Sequence, residues 1–226
     1  MIILLCILYG VSLILYTRRS LREGFAAQLA LKAATSTLFI LIACACFLKA
    51  QGNRVYFLLM LCAFFCSLVG DVFIQMQRHW DANAKVALIC GASAFFAAHC
   101  LYSAAFMLLA PLAAIDPVVF CFLFTSISLV FSTLRLDFER YTLPCTLYLA
   151  AILFMLTKAL SVWYSGGGSL VALLLASGGT LFVISDFLLT LKNFYPPCRH
   201  SKPVAAGVTI TYYLAQLMFA LSILYV

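Results

Sequence analysis

The chain has 226 residues, of which 66% are hydrophobic and 9% charged, with a mean hydropathy of +1.13. That composition excludes a soluble globule and describes a polytopic membrane protein, a single transmembrane domain over residues 1–226 with nothing left for a soluble one. The formal net charge of +7 sets 14 Lys and Arg against 7 Asp and Glu. It reads as a topology signal and a contact for anionic lipid headgroups, and it gives no reason to invoke nucleic acid.

Eight segments approach the roughly 20 residues that a hydrocarbon core of about 30 Å demands. The predicted class is therefore all-α, a polytopic bundle of eight transmembrane helices. The first segment covers about residues 1–16 and has neither a basic region before it nor a small-residue cleavage site after it, so it reads as a retained span. The polar turn from Thr17 to Gly24 separates it from the second, about 25–48. The third covers about 55–76, and polar residues around His79 to Lys85 lead to the fourth, about 86–109. Pro111 to Pro117 make the next turn, before the fifth at about 118–134. A charged loop precedes the sixth, about 142–164, and Gly166 to Gly168 precede the seventh, about 170–191. Pro196-Pro197 close that region, and the eighth covers about 204–226.

Loops after odd-numbered spans hold Arg18, Arg19, Arg22, Arg78, Lys85, Arg135, Arg140, Lys192, Arg199 and Lys202, whereas the other loops hold only Lys49 and Arg54. The positive-inside rule then places both termini on the noncytoplasmic side, in the inner membrane if the source is bacterial. Nine of the ten cysteines lie in apolar runs, which suits buried free thiols better than a disulfide framework or a zinc site.

Within the spans, Asp71 and Asp186 are carboxylates in runs otherwise fit for lipid. Each costs about 2.5 to 3.5 kcal/mol at the centre of a membrane helix, so such residues face the bundle interior and mark functional sites. Lys32 lies about seven residues into span two, Tyr148 about six into span six, and both acids about five from the same ends of spans three and seven. At 1.5 Å per residue all four sit roughly 7 to 11 Å deep on the cytoplasmic side. His99, Tyr212, Tyr213 and Gln216 lie about 12 to 20 Å deep and predict the floor of one shared pocket. Helical spacing supports this, with stripes at Gln28, Lys32, Thr35 and Ser36, at Ser67, Asp71 and Gln75, at His99, Tyr102 and Ser103, and at Thr209, Tyr213 and Gln216. The bland reading of the hydroxyls and Tyr102 is interhelical hydrogen-bond glue. Lys158 is expected to snorkel toward the opposite interface.

Asp71 and Asp186 are separated by 115 residues, and Lys32 and Tyr148 by 116. His99 plus 115 lands on Leu214, beside Tyr213. Four spans separate each pair, so a 4+4 parallel repeat related by an axis along the membrane normal is expected, with a site at its interface.

The combination Gly70-Asp71, His99 with Tyr102, Leu181-Phe182-Val183-Ile184-Ser185-Asp186 and Tyr212-Tyr213-Leu214-Ala215-Gln216 resembles the YhhN family of integral membrane proteins. The resemblance covers nearly the whole chain and rests on four short motifs in the right order. It departs where family members usually follow the span-two lysine with proline, since Ala33 follows Lys32 here. Because the family includes lysoplasmalogenases, the resemblance implies hydrolysis of the vinyl ether bond of lysoplasmalogens, releasing a fatty aldehyde and a glycerophospho-base.

That reaction needs a strong general acid to protonate carbon, giving an oxocarbenium-like ion that water attacks, much as paired carboxylates divide labour in glycoside hydrolysis. The catalytic candidates are Asp71, Asp186 and His99, and the sequence leaves open which acid protonates. His99 would position water or relay a proton, Lys32 would bind the lipid phosphate or tune an Asp, and Tyr102, Tyr148, Tyr212, Tyr213 and Gln216 would orient the substrate. No cofactor is implied. A zinc hydrolase is disfavoured because His99 is the only intramembrane histidine, although His99 with both acids would be a conceivable ligand set. The implied partners are a lysophospholipid substrate and membrane lipids. Two other readings stay open at this point, a proton-coupled lipid or small-molecule transporter and a noncatalytic lipid-binding protein.

Overall fold

The computed structural model describes residues 1–20, 24–77, 83–136, 138 and 141–226, so Arg22, Arg78, His79 and Arg140 lie outside the described residues. Among the described residues eight long helices follow one another: α1 (Ile2–Ser20), α2 (Phe25–Ala50), α3 (Arg54–Gln77), α4 (Ala84–Met107), α5 (Asp116–Thr133), α6 (Thr142–Ser165), α7 (Leu170–Phe194) and α8 (Lys202–Ser222). Each is long and apolar enough to cross a bilayer, and the protein is a multi-pass membrane protein.

The predicted spans match these helices, with the largest shifts at their ends. Helix α1 continues four residues beyond the expected boundary, and α7 three, because Arg18, Arg19 and Lys192 are tolerated in a last helical turn. Helix α8 begins at Lys202, where Ser201 accepts a hydrogen bond from the Val204 N–H and Pro203 sits in the first turn. Asn53 starts α3 in the same way, its Oδ1 accepting from the N–H groups of Val55 and Tyr56 at 3.0 and 3.1 Å. Helix α2 ends at Gln51, whose left-handed φ of 49° lets its N–H reach the Phe47 carbonyl at 2.8 Å. With Ala33 after Lys32, α2 runs through that position as one helix.

Helix α3 packs on α4, and α7 on α8. Helices α2 and α6 lie against α3 and α7 in turn, while α4 touches α6 and α8 touches α2. This adjacency is what a 4+4 parallel repeat requires of the bundle; the repeat itself remains an expectation from the 115-residue offset. Close helix approach is set by glycine. A Cβ at Gly70 would stand 2.7 Å from the Phe95 ring of α4, and one at Gly178 would stand 2.7 Å from the Phe219 ring of α8. The core is aromatic, with Phe182 meeting His99, Tyr102, Tyr212 and Phe219 at centroid distances of 4.8 to 6.3 Å.

Two expectations are corrected here. The ten cysteines are free, but only Cys46 is buried, and Cys62, Cys100 and Cys121 face outward. A lipid-facing thiol carries no hydration penalty, so apolar surroundings in sequence do not distinguish core from lipid face. Lys158 does not snorkel: it is fully buried and donates to Asp116 Oδ2 at 2.7 Å and to the Pro111 carbonyl at 3.1 Å. Asp116 is the first residue of α5, in the stretch that reads from sequence as a turn, and it supplies the counter-charge that makes burial possible.

Candidate functional site

Lys32, Asp71, Tyr148 and Asp186 lie at one end of the bundle, within about two turns of the helix starts of α2 and α6 and the helix ends of α3 and α7. They form two clusters. In the first, Lys32 Nζ stands 3.1 Å from Asp71 Oδ1, while Ser36 and Tyr212 donate to Asp71 Oδ2 at 2.6 and 2.7 Å. Both carboxylate oxygens are occupied, and the Asp71 side chain is only 2% exposed. The Tyr213 hydroxyl lies 3.1 Å from Ser36 Oγ and donates to the Lys32 carbonyl at 3.3 Å.

In the second cluster, Tyr148 donates to Asp186 Oδ2 at 2.5 Å, and His99 Nε2 lies 3.2 Å from the Tyr148 hydroxyl and 3.6 Å from Asp186 Oδ2. Because Tyr148 directs its one proton to Asp186, its oxygen is left to accept from His99 Nε2–H. The buried His99 Nδ1 has no hydrogen-bond partner among the described residues. Asp186 is 14% exposed, and the other oxygen, Oδ1, takes no hydrogen bond from the described residues.

The single pocket expected from depth is two adjoining spaces. A cavity of about 540 Å³ is walled by Leu88, Ile127, Phe131, Phe187 and Phe194, with Tyr148 and Asp186 on its surface and Tyr141, Thr190 and Asn193 as further polar lining. A chamber of about 40 Å³ is lined by Tyr16, Lys32, Asp71, Asp186, Tyr212 and Tyr213. That is room for water, since one water occupies about 10 to 15 Å³ measured this way, and the lining offers it several polar partners. Asp186 belongs to both spaces, with Ile74, Phe95 and Leu189 alongside it.

Tyr102 and Gln216 line neither space. The Tyr102 hydroxyl donates to Gln216 Oε1 at 2.8 Å in an aromatic layer with Phe64, Phe106 and Phe219, farther from the basic loops. Helical spacing predicts Tyr102 beside His99, and depth predicts Gln216 at the pocket floor; in the structure they pair with each other about one turn beyond His99 and Tyr213. The sequence missed Tyr9 and Tyr16, seven residues apart on one face of α1. Tyr9 donates to the Tyr213 carbonyl at 2.5 Å, and Tyr16 donates to Gln75 Oε1 at 3.2 Å. Their spacing was the available signal. Among the described residues no three His, Cys, Asp or Glu side chains gather as a metal site requires.

The YhhN family model matches residues 27–223, which include both clusters and all four motifs. The chain belongs to the YhhN family. No curated protein and no solved structure matches it. The motifs of this YhhN chain have physical counterparts: Gly70 admits Phe95 beside Asp71, Phe182 packs between His99 and Tyr212, and Tyr212 donates to Asp71.

Proposed function

We propose that this protein hydrolyses the vinyl ether bond of lysoplasmalogens to a fatty aldehyde and a glycerophospho-base. The observation that carries the reading is the setting of Asp186: a carboxylate held by Tyr148 beside His99, on the wall of an apolar cavity of about 540 Å³. Such a cavity suits a hydrocarbon chain, and one carboxyl aimed into it suits protonation of an enol ether. Lineage in a family that includes lysoplasmalogenases supports the same chemistry, as does the adjoining water-sized chamber. The site end carries the basic loops, so it opens toward the cytoplasm and both termini lie on the other side.

Transport across the membrane is less well supported, since the aromatic layer of Phe64, Tyr102, Phe106 and Phe219 fills the bundle beyond the site. Purified protein is to be incubated with an alkenyl lysolipid and with its ester analogue, with free aldehyde and fatty acid measured. Aldehyde from the first and no acid from the second is expected. Fatty acid release from the ester would make the protein a lysophospholipase, and the absence of both products would remove the hydrolase reading.

A further inference from the structure

The two acids have opposite settings, and the difference bears on which of them moves a proton. Asp71 is enclosed by an ammonium on one oxygen and two hydroxyl donors on the other. Three donors, one of them the Lys32 ammonium, hold the Asp71 carboxyl in place and leave no oxygen facing the large cavity. Among the described residues Asp186 has its side-chain polar contacts on Oδ2 and none on Oδ1, and the side chain faces both the apolar cavity and the small chamber. A group that must hand a proton to a substrate and take one from water needs an oxygen open to each.

Resting on the vinyl ether reading above, we infer that Asp186 alone transfers the proton, and that the Lys32 and Asp71 pair is a positioning element that shapes the water chamber. In the first step the Asp186 O–H bond breaks and a C–H bond forms at the enol carbon remote from oxygen. The π electrons move to give an oxocarbenium ion beside the new Asp186 carboxylate. Water from the chamber adds its oxygen to the cationic carbon and gives a proton to Asp186, which restores the acid. The hemiacetal then splits: its C–O bond to glycerol breaks, its hydroxyl proton passes to the departing oxygen, and aldehyde and alcohol are released. Vinyl ether and one water give the two products with nothing else consumed.

Asp71 acts through others. It anchors the Tyr212 hydroxyl and the Lys32 ammonium, both of which line the chamber, so it is a positioning residue. Removing its charge alone leaves the Lys32 ammonium, 12% exposed, without this counter-charge, which threatens folding. The Lys32→Met, Asp71→Asn double variant removes both charges together and avoids that problem.

The experiment follows aldehyde release by full-length wild type, Asp186→Asn, Asp186→Glu and the double variant in lipid vesicles, in H₂O and D₂O, with helicity checked by circular dichroism. Asp186→Asn is expected to fold and to lose about 10³-fold in kcat, the scale of general acid catalysis. Asp186→Glu is expected to recover part of the loss and to keep a solvent deuterium effect. The double variant is expected to lose about tenfold, with the deuterium effect and the shape of the pH profile unchanged. If Asp186→Asn turns over within about tenfold of wild type, or if the folded double variant is as inactive as Asp186→Asn, the assignment is overturned. Wild type that releases no aldehyde would instead overturn the vinyl ether reading, and the assignment with it.

Discussion

Tyr148 directs its hydroxyl proton to Asp186 and receives His99 on the same oxygen, so it fixes the geometry of three side chains. Tyr148→Phe removes a hydrogen bond to a charged or proton-carrying group, an interaction of about 1.5 to 3 kcal/mol. At about 1.4 kcal/mol per tenfold, aldehyde release should fall roughly 10- to 100-fold, with a lowered thermal unfolding midpoint and the helicity retained. Turnover equal to wild type would take Tyr148 out of the site. The acids themselves were legible, because a carboxylate in an apolar run costs more than helix packing requires. What the sequence left open was which partners each acid meets. Ser36 reaches Asp71 across 35 positions and Tyr212 across 141, and a stripe of polar residues shows a shared face without showing a bond. Asp116 was hidden for another reason: it is the first residue of α5, in a proline-flanked stretch that reads from sequence as a turn, where a charge needs no partner.

Helices were the most legible level, since length and apolarity fix a membrane span with little help from packing. Their lateral neighbours were not legible, because lipid and core present the same apolar residues. Helix α5 illustrates this: its sequence is as hydrophobic as α7, yet Asp116 is its only buried residue. It is held to α6 by the Asp116 and Lys158 pair, reinforced by Ser161 and Tyr164 donating to Asp116 Oδ1 at 2.9 and 2.6 Å. Lys158→Met should destabilise the protein by about 3 to 5 kcal/mol, because Asp116 stays buried without its cation. Adding Asp116→Leu should recover much of that loss, and a double-mutant cycle on thermal or denaturant unfolding measures it. Equal destabilisation by single and double variants would show that the pair is not what pins α5. At the other acid cluster, Gly70→Ala places a methyl group 2.7 Å from the Phe95 ring, which walls both spaces. A cost of about 1 to 3 kcal/mol and a weakened KM for the alkenyl lysolipid are expected, read from unfolding and steady-state kinetics.

For the whole molecule, orientation is the property that the charges decide and the bundle geometry does not. A cysteine near Arg199 should be protected from an impermeant thiol reagent applied to the noncytoplasmic side, whereas one added before Met1 should react, against a background cleared of the outward-facing native thiols. The reverse pattern would place the acid clusters in the other leaflet. Substrate choice also belongs to this scale. A saturated alkyl ether cannot form the cation by protonation at carbon, so it should bind the apolar cavity and inhibit without being cleaved, a result measurable as competitive inhibition of aldehyde release. Measurable cleavage of that ether would require a different mechanism.

The buried Asp116 and Lys158 pair has a consequence for how the chain enters the membrane in the first place. Alone, α5 brings an acid at its first residue and α6 a base about two turns from its end, and burying either is costly without the other. Joined, the two charges cancel, so α5 and α6 are fit to partition together as a hairpin during synthesis. A nascent chain stopped between them exposes an unpaired carboxylate at the membrane surface before Asp186 of α7 has been made.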